Sequence, residues 1–491
     1  MTLPAAPAAT GLQAAALALH DRRISAVELT QAALARIAAL EPRLQAFMHL
    51  DAARAIAHAQ AIDGLRAAGV DLGPLMGVPV AVKDLFSVDG MPTTAGSRLD
   101  VQELVPPQGS FVDALLRAGC VIVGKTRTTE FALGGFNFDP PPPWNPCDTQ
   151  QPRMTGGSSH GSAVAMAAGL AGFTVGSDTG GSVRWPAALC GVVGYKSSSS
   201  HWRGDGVFPL SPELDSIGLF TRSAHDAALV NAALMNAAQM NTALMNASRG
   251  QLLRPPPAVH ALTFAVPTLH FMEQLDEPVL RCFEAAVSRL RVAGARIVNA
   301  ETPEAGEIDE VFRSLVPADL LAFLGRDRVT AQMDRLDAVA AERLQAAFEA
   351  RADGYSKMLA RRRELQRLVA ERSVGIDAWL TPTVPMLPQP TADFSSVAEV
   401  AAWNRRATRN TRPGNLFGQC GISLPIQHLG QEHPDRAAGA ALWGQSIGAA
   451  LPVGLQLCAA PGHDEALLSL ACAVEDLLGR PAEAVLDALA D

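Results

Sequence analysis

The sequence predicts an α/β architecture of strands layered against helices, and three observations predict it. Short apolar runs of strand length alternate with longer segments whose apolar residues recur at helical spacing. Hydrophobic residues make up 48% and charged ones 18% of the 491 residues, enough for an extensive core. No linker is long or polar enough to divide the chain, so a single domain over residues 1–491 is expected.

The elements follow in order. Ser25–Glu28 (SAVE) reads as a capping box opening a helix, with Pro42 beyond its end. A second, alanine-rich helix is expected from about Asp51 to Ala68. Gly77–Val82 (GVPVAV) is a short apolar strand ending at Lys83–Asp84, and Gly119–Gly124 (GCVIVG) is another. Ser162–Leu170 is a helix of small side chains, and Phe173–Val175 is a strand running into Gly176–Pro186 (GSDTGGSVRWP). Asn231–Met245 repeats a five-residue unit as NAALM, NAAQM and NTALM. Five does not match the helical period of about 3.6, so the repeat is expected to extend a surface helix rather than form a Met-rich flap over a pocket. Asp276–Ala293 and Arg326–Ser373 read as helical, and Ile376–Pro390 as a strand followed by a proline-rich loop. Cys420–Ile426 and Leu451–Leu457 read as buried strands, and Asp464–Leu478 as a closing helix.

Composition excludes several function classes. Lys+Arg 40 against Asp+Glu 49 gives a net charge of −9, and no basic run is present, so nucleic acid is not an expected partner. Seven scattered cysteines without a CxxC pair suit reduced core thiols. The histidines show no metal-ligand spacing, so neither metal nor cofactor is expected. No positive n-region precedes the alanine-rich start, and the charge-free stretch from Gly156 to Ser177 (His160 aside) is too rich in Gly, Ser and Thr to read as a membrane span. A soluble, cytoplasmic monomer or homodimer is therefore expected. Gly119–Thr126 (GCVIVGKT) matches the phosphate-loop pattern literally. Yet Val121–Ile122–Val123 belong to a strand interior, whereas a phosphate loop must expose consecutive amides to its ligand. Nucleotide binding is rejected there, and Lys125 is expected to be structural.

What remains is a constellation for acyl transfer. Thr155–Ser162 (TGGSSHGS) and Gly176–Pro186 each display serines, and Lys83 precedes them. Amide hydrolysis needs a nucleophile, a base to activate it and donors for a developing oxyanion. Ser182 follows Thr179–Gly180–Gly181, where glycines let several N–H groups converge. His160 lacks an orienting carboxylate nearby in the sequence. Lys83, at the end of an apolar strand, can be desolvated into a neutral amine. Taken singly, a GGS turn or a lone lysine is an ordinary structural feature; the ordered combination is specific.

The segments carrying this pattern are GPLMGVPVAVKDLFSVDGMPTTAGS, GCVIVGKTRTTEFA, TGGSSHGSAVAMAAGL, GSDTGGSVRWPAALCGVVGYK and LDSIGLFTRSAHDAAL. Together they resemble the amidase signature family of serine hydrolases, and weaker likeness runs on through RPGNLFGQCGISLPI and LPVGLQL. The resemblance implies a large mixed β-sheet sandwiched between layers of helices. It implies a core over about 74–230 and a helical insertion over about 231–375 forming part of the substrate pocket. Carried over position by position, it implies Ser182 as nucleophile, Ser158 after a cis bond from Gly157 as proton relay, and Lys83 as base. The backbone amides of Thr179, Gly180, Gly181 and Ser182 would form the oxyanion hole, and Asp178 and Arg184 would shape the loop. His160, Trp185 and Tyr195 depart from the family's usual residues without touching the triad.

The implied activity is hydrolysis of a linear C–N bond in a small-molecule amide or carbamate through an acyl-enzyme. The pocket is expected from Phe136–Trp144, the Met-rich repeat, Arg313–Leu324 and the Pro382–Pro390 loop, with Phe136, Trp144 and Trp185 as candidates. The apolar character of these segments favours an uncharged substrate. The alternatives are the glutaminase component of a tRNA-dependent amidotransferase and a non-catalytic scaffold that keeps the fold.

Overall fold

The computed structural model describes residues 11–238, 255–431 and 451–481. One sheet is built from β1 (Phe47–Leu50), β2 (Pro79–Lys83), β3 (Val121–Thr126), β4 (Phe173–Ser177), β5 (Val193–Lys196), β6 (Ile217–Thr221), β7 (Thr263–Val266), β8 (Arg296–Asn299), β9 (Ala378–Pro382), β10 (Cys420–Pro425) and β11 (Gly454–Ala459). Their spatial order is β1-β3-β2-β4-β6-β5-β10-β11-β9-β7-β8. The sheet is mixed: β2 runs parallel to β3 and β4, and β7 parallel to β8 and β9. The remaining pairings are antiparallel. Strands β2 and β3 are buried along their whole length, which is why Val80–Val82 and Val121–Val123 read as apolar runs.

Helices cover the sheet. His160–Ala167 and Arg184–Cys190 pack together against its central strands, while Ala224–Ala238 and Asp464–Leu478 form a second packed group. Close approach of Arg184–Cys190 depends on missing side chains. A Cβ on Gly194 would lie 2.5 Å from that of Ala187, and one on Gly454 would lie 2.6 Å from that of Ala188. These glycines let the helix, and Ser182 just before it, settle onto β5 and β11.

The expected capping box is present: Ser25 Oγ accepts from the Glu28 amide at 3.1 Å, and Glu28 Oε2 accepts from the Ser25 amide at 2.8 Å. Pro42 does not lie beyond this helix but inside its last turn, since the helix spans Ala26–Leu44. So near the C-terminus a proline disrupts little of the helix, and Gln45 closes it at φ 52°. The Met-rich repeat also departs from expectation. Its first copy and the start of its second lie within Ala224–Ala238, with Asn231 and Asn236 only 2% and 3% exposed, so this part is buried rather than superficial. His201 Nε2 meets Asn231 Oδ1 at 2.7 Å, which accommodates the polar side chain there. The repeat beyond residue 238 lies outside the described residues. Segment 231–375 is not wholly helical, because it supplies β7 and β8 as well. Four-residue strands carry too short a pattern to register as strands in sequence.

The GCVIVGKT segment is strand β3, buried throughout. Lys125 ion-pairs with Asp84 at 2.9 Å and donates to Pro92 O and Thr93 Oγ1, which leaves it a structural cation. All seven cysteines are unpaired thiols. Among the described residues, no helix is long and apolar enough to cross a membrane.

Candidate active site

The C-terminal ends of the parallel strands β2 and β4 bring the first groups together. Lys83 ends β2 and Ser177 ends β4. Lys83 Nζ donates to Ser158 Oγ at 2.7 Å and to Ser177 Oγ at 2.9 Å, and its side chain is fully buried. Burial lowers its pKa from 10.5 to about 7, against the opposing charges of Asp215 and Asp178. A lysine ringed by hydroxyls, with no carboxylate in hydrogen-bond contact, can deprotonate near neutrality. Lys125 and Lys196 are equally buried, but the first is ion-paired and the second donates to the carbonyls of Ser197 and Gln419.

Ser158 follows a cis peptide from Gly157. The Ser159 amide donates to the Ser182 carbonyl at 3.3 Å, tying the two serine loops together. No hydrogen bond joins Ser158 to Ser182 among the described residues. Such catalytic contacts are often loose until substrate binds. Ser158 is fully buried, whereas Ser182 is 9% exposed and reaches a cavity. His160 is buried without a bond to either serine, and burial holds its pKa well below the usual value, with Arg127 and Lys83 acting in the same direction.

Asp178 organises the second loop. Its carboxylate accepts from the amides of Gly181 at 2.7 Å and Val183 at 3.1 Å. Arg184 grips it in a fork, Nε and Nη2 each donating at 3.1 Å. Burial opposes ionisation of Asp178, but Arg184 outweighs it and holds the carboxyl well below its ordinary range. Gly181 has φ 119°, and a Cβ there would sit 2.0 Å from Thr411 Oγ1, so only glycine fits. The Gly181 amide therefore departs from the expected oxyanion set, because it already serves Asp178. The amides of Thr179, Gly180 and Ser182 have no protein acceptor among the described residues.

Two participants were not found in the sequence. Ser177 was visible within GSDTGGS, but only the parallel pairing of β2 with β4 sets it beside Lys83. Asp215, in the LDSIG segment, accepts from Thr179 Oγ1 at 2.5 Å and from the Leu210 and Ser211 amides. Burial raises its pKa to about 6.

The cavity at Ser182 is lined by Thr179, Gly180, Trp185, Phe312, Arg343 and Arg412, among others. It shares Phe312, Val316, Arg343 and Arg412 with a cleft of about 740 Å³. Trp185 is thus a wall of the cavity and also packs on Trp403, 5.0 Å between centroids. Phe136 and Trp144 do not line it. Phe136 packs edge-on against Phe138 at 5.0 Å, and Trp144 lies under Arg43 at 4.4 Å. The Pro382–Pro390 loop does not line it either, whereas Arg313–Leu324 contributes Val316. Two arginines among the walls replace the uncharged lining expected from sequence.

The family model for Amidase matches residues 28–468. The 2-amino-5-chloromuconic acid deaminase of Comamonas testosteroni is 36% identical over 472 residues, spanning 94% of this chain and 95% of that protein. The A component of the glutamyl-tRNA(Gln) amidotransferase from Salinispora arenicola is 32% identical over 510 aligned positions, 96% and 98% of the two chains. Among solved structures, the peptide amidase from Stenotrophomonas maltophilia superposes with a TM-score of 0.78 at 25% identity, covering 98% of this chain and 99% of that one.

Proposed function

The chain belongs to the amidase family and is a hydrolase of amide C–N bonds, and from that premise we propose that Ser182 is its nucleophile, Ser158 its proton relay and Lys83 its base. The observation that carries the reading is the 2.7 Å contact between a lysine amine of pKa about 7 and Ser158, on a loop bonded to that of Ser182. The neutral amine takes the Ser158 proton as Ser158 takes that of Ser182, and Ser182 Oγ attacks the carbonyl carbon. The oxyanion lies against the free amides of Thr179, Gly180 and Ser182, each donor contributing about 3–4 kcal/mol. Ser158 then protonates the leaving nitrogen, the C–N bond breaks, and water hydrolyses the acyl-enzyme to the acid. Asp178 and Arg184 hold the loop that presents these amides.

A fluorophosphonate probe should label the protein, and Ser182→Ala should lose both labelling and turnover while keeping its thermal transition. Labelling that survives in Ser182→Ala would assign the nucleophile elsewhere; none in wild type, with no turnover on any amide, ester or carbamate, would favour a scaffold. Glutamine hydrolysis appearing only with partner proteins would favour the amidotransferase reading that the Salinispora relative supports.

The acid limb of kcat/KM should follow Lys83. Its amine must be neutral to act, so activity rises as pH climbs through about 7. Asp215 is a positioning residue whose negative charge favours protonated Lys83. Asp215→Asn keeps an oxygen for the Leu210 and Ser211 amides and turns its amide toward Thr179 Oγ1. The acid limb should therefore move to lower pH. A limb that stays in place would show that another group sets it.

A further inference from the structure

We propose that Asn404 binds the substrate in the Ser182 cavity and that the acyl chain held there ends in a second carboxamide, an assignment that rests on Ser182 being the nucleophile. Asn404 lies on the helix Val397–Ala407 and lines the cavity together with Ser182. It is 1% exposed, yet neither its Oδ1 nor its Nδ2 has a hydrogen-bond partner among the described residues. Neighbouring polar groups of the same walls are engaged. Thr179 Oγ1 donates to Asp215, Thr408 Oγ1 donates to the Asn404 carbonyl, and Arg412 is ion-paired with Asp309. Buried polar atoms are almost always paired, and asparagine is a poor residue for a helix interior, so nothing in the free fold rewards this side chain.

Glycine keeps the space around this amide open. A Cβ on Gly135 would lie 3.2 Å from Asn404 Oδ1 and 2.0 Å from Trp185 Cζ2, and one on Gly157 would lie 2.8 Å from Gly135 Cα. The amide head therefore stands beside Trp185, with only the Gly135 backbone between it and the Gly157–Ser158 loop. Ser158 itself is fully buried and is not among the residues that line the cavity. A nitrogen leaving toward Ser158 thus points out of the cavity, and the acyl chain occupies it. Leu133, Phe312 and Val316 give a short stem an apolar wall. An orphan donor and an orphan acceptor on one planar amide are matched by a group that offers one of each, side by side. A carboxamide does so, whereas a carboxylate, ketone or ester offers acceptors alone and an ammonium donors alone. The enzyme then hydrolyses one end of a short-chain diamide while Asn404 holds the other.

The test compares malonamide with isovaleramide and succinamide with isocaproamide, pairs in which an isopropyl group replaces the distal carboxamide at equal length. Wild type should favour the diamide in at least one pair by about 10- to 100-fold in kcat/KM, the range for pairing two otherwise unsatisfied buried groups. That preference is counted beyond the statistical gain from two equivalent amides. Asn404→Leu, close in shape and without either polar atom, should abolish it through a higher KM for the diamide, with KM for the isopropyl amides unchanged or lower. No preference in either pair, or a preference that persists in Asn404→Leu, overturns the assignment. So does a loss that falls equally on both members of each pair, which would give Asn404 a structural role. If Asn404→Leu fails to fold, Asn404→Ala removes the same two groups and is read in the same way. Fluorophosphonate labelling of wild type keeps the two readings apart: labelling without a diamide preference removes only the role of Asn404, while absent labelling and turnover removes the hydrolase reading too.

Discussion

Replacing Lys83 by alanine should slow acylation by about 10²- to 10⁴-fold, the range for loss of a general base, while the folded state persists. In the proposed mechanism the amine is the acceptor at the end of the proton path, and no other base contacts Ser158 among the described residues. Its two hydrogen bonds run to Ser158 and Ser177, so its removal leaves hydroxyls rather than a bare charge. Stability carries a second signature. Folding lowers the Lys83 pKa from 10.5 to about 7. Between those values the unfolded chain binds a proton that the folded one lacks, so wild-type stability relative to Lys83→Met should rise as pH increases across that window. Burst amplitude with an activated ester and denaturant midpoints at several pH values measure both effects. Acylation at near wild-type rate in Lys83→Ala would mean that a different base operates.

The three residues of the proposed triad stand out in sequence because each sits in a short motif whose glycines and apolar flanks announce its local geometry. Lys83 ends a five-residue apolar strand, and Ser182 follows a glycine pair whose second member has φ 119°. Most of the strands were legible for the same reason, since runs such as Cys420–Pro425 are uniformly buried. Residues that join the site through pairing across the sheet were not. Ser177 meets Lys83 only because β2 and β4 are parallel neighbours, and Asp215 only because its loop folds back under Thr179. Pocket walls were the least legible. Phe136 and Trp144 lie in an apolar, proline-rich segment that suggested a pocket, yet their rings turn to Phe138 and Arg43. Arg343 and Arg412 come from helices whose charged residues, read alone, look like solvated faces. Side-chain direction is decided by packing between elements, and that information is absent from local periodicity.

Arg184→Met should be the most destabilising substitution around the site, by about 3–5 kcal/mol, because it strands a buried carboxylate. Arg184 is wholly buried and uses Nε and Nη2 on Asp178, Nη2 also on Asn415 at 2.6 Å, and Nη1 on Gln456 at 2.8 Å. Removing it also raises the Asp178 pKa. In wild type that carboxyl stays ionised far below the ordinary range, so its contribution to stability is present at neutral pH and lost only in strong acid. In Arg184→Met the acid-unfolding midpoint should therefore move upward. The double variant Arg184→Met, Asp178→Leu removes both charges and should recover much of the lost stability, as apolar replacements of buried pairs commonly do. Activity should not return with it, because Gly181 and Val183 donate to the Asp178 carboxylate and their loop carries the amides proposed to hold the oxyanion. Urea denaturation and kcat/KM on the three proteins separate the two roles. A double variant that regains turnover along with stability would mean the pair holds the fold alone and leaves the aim of the loop to other contacts.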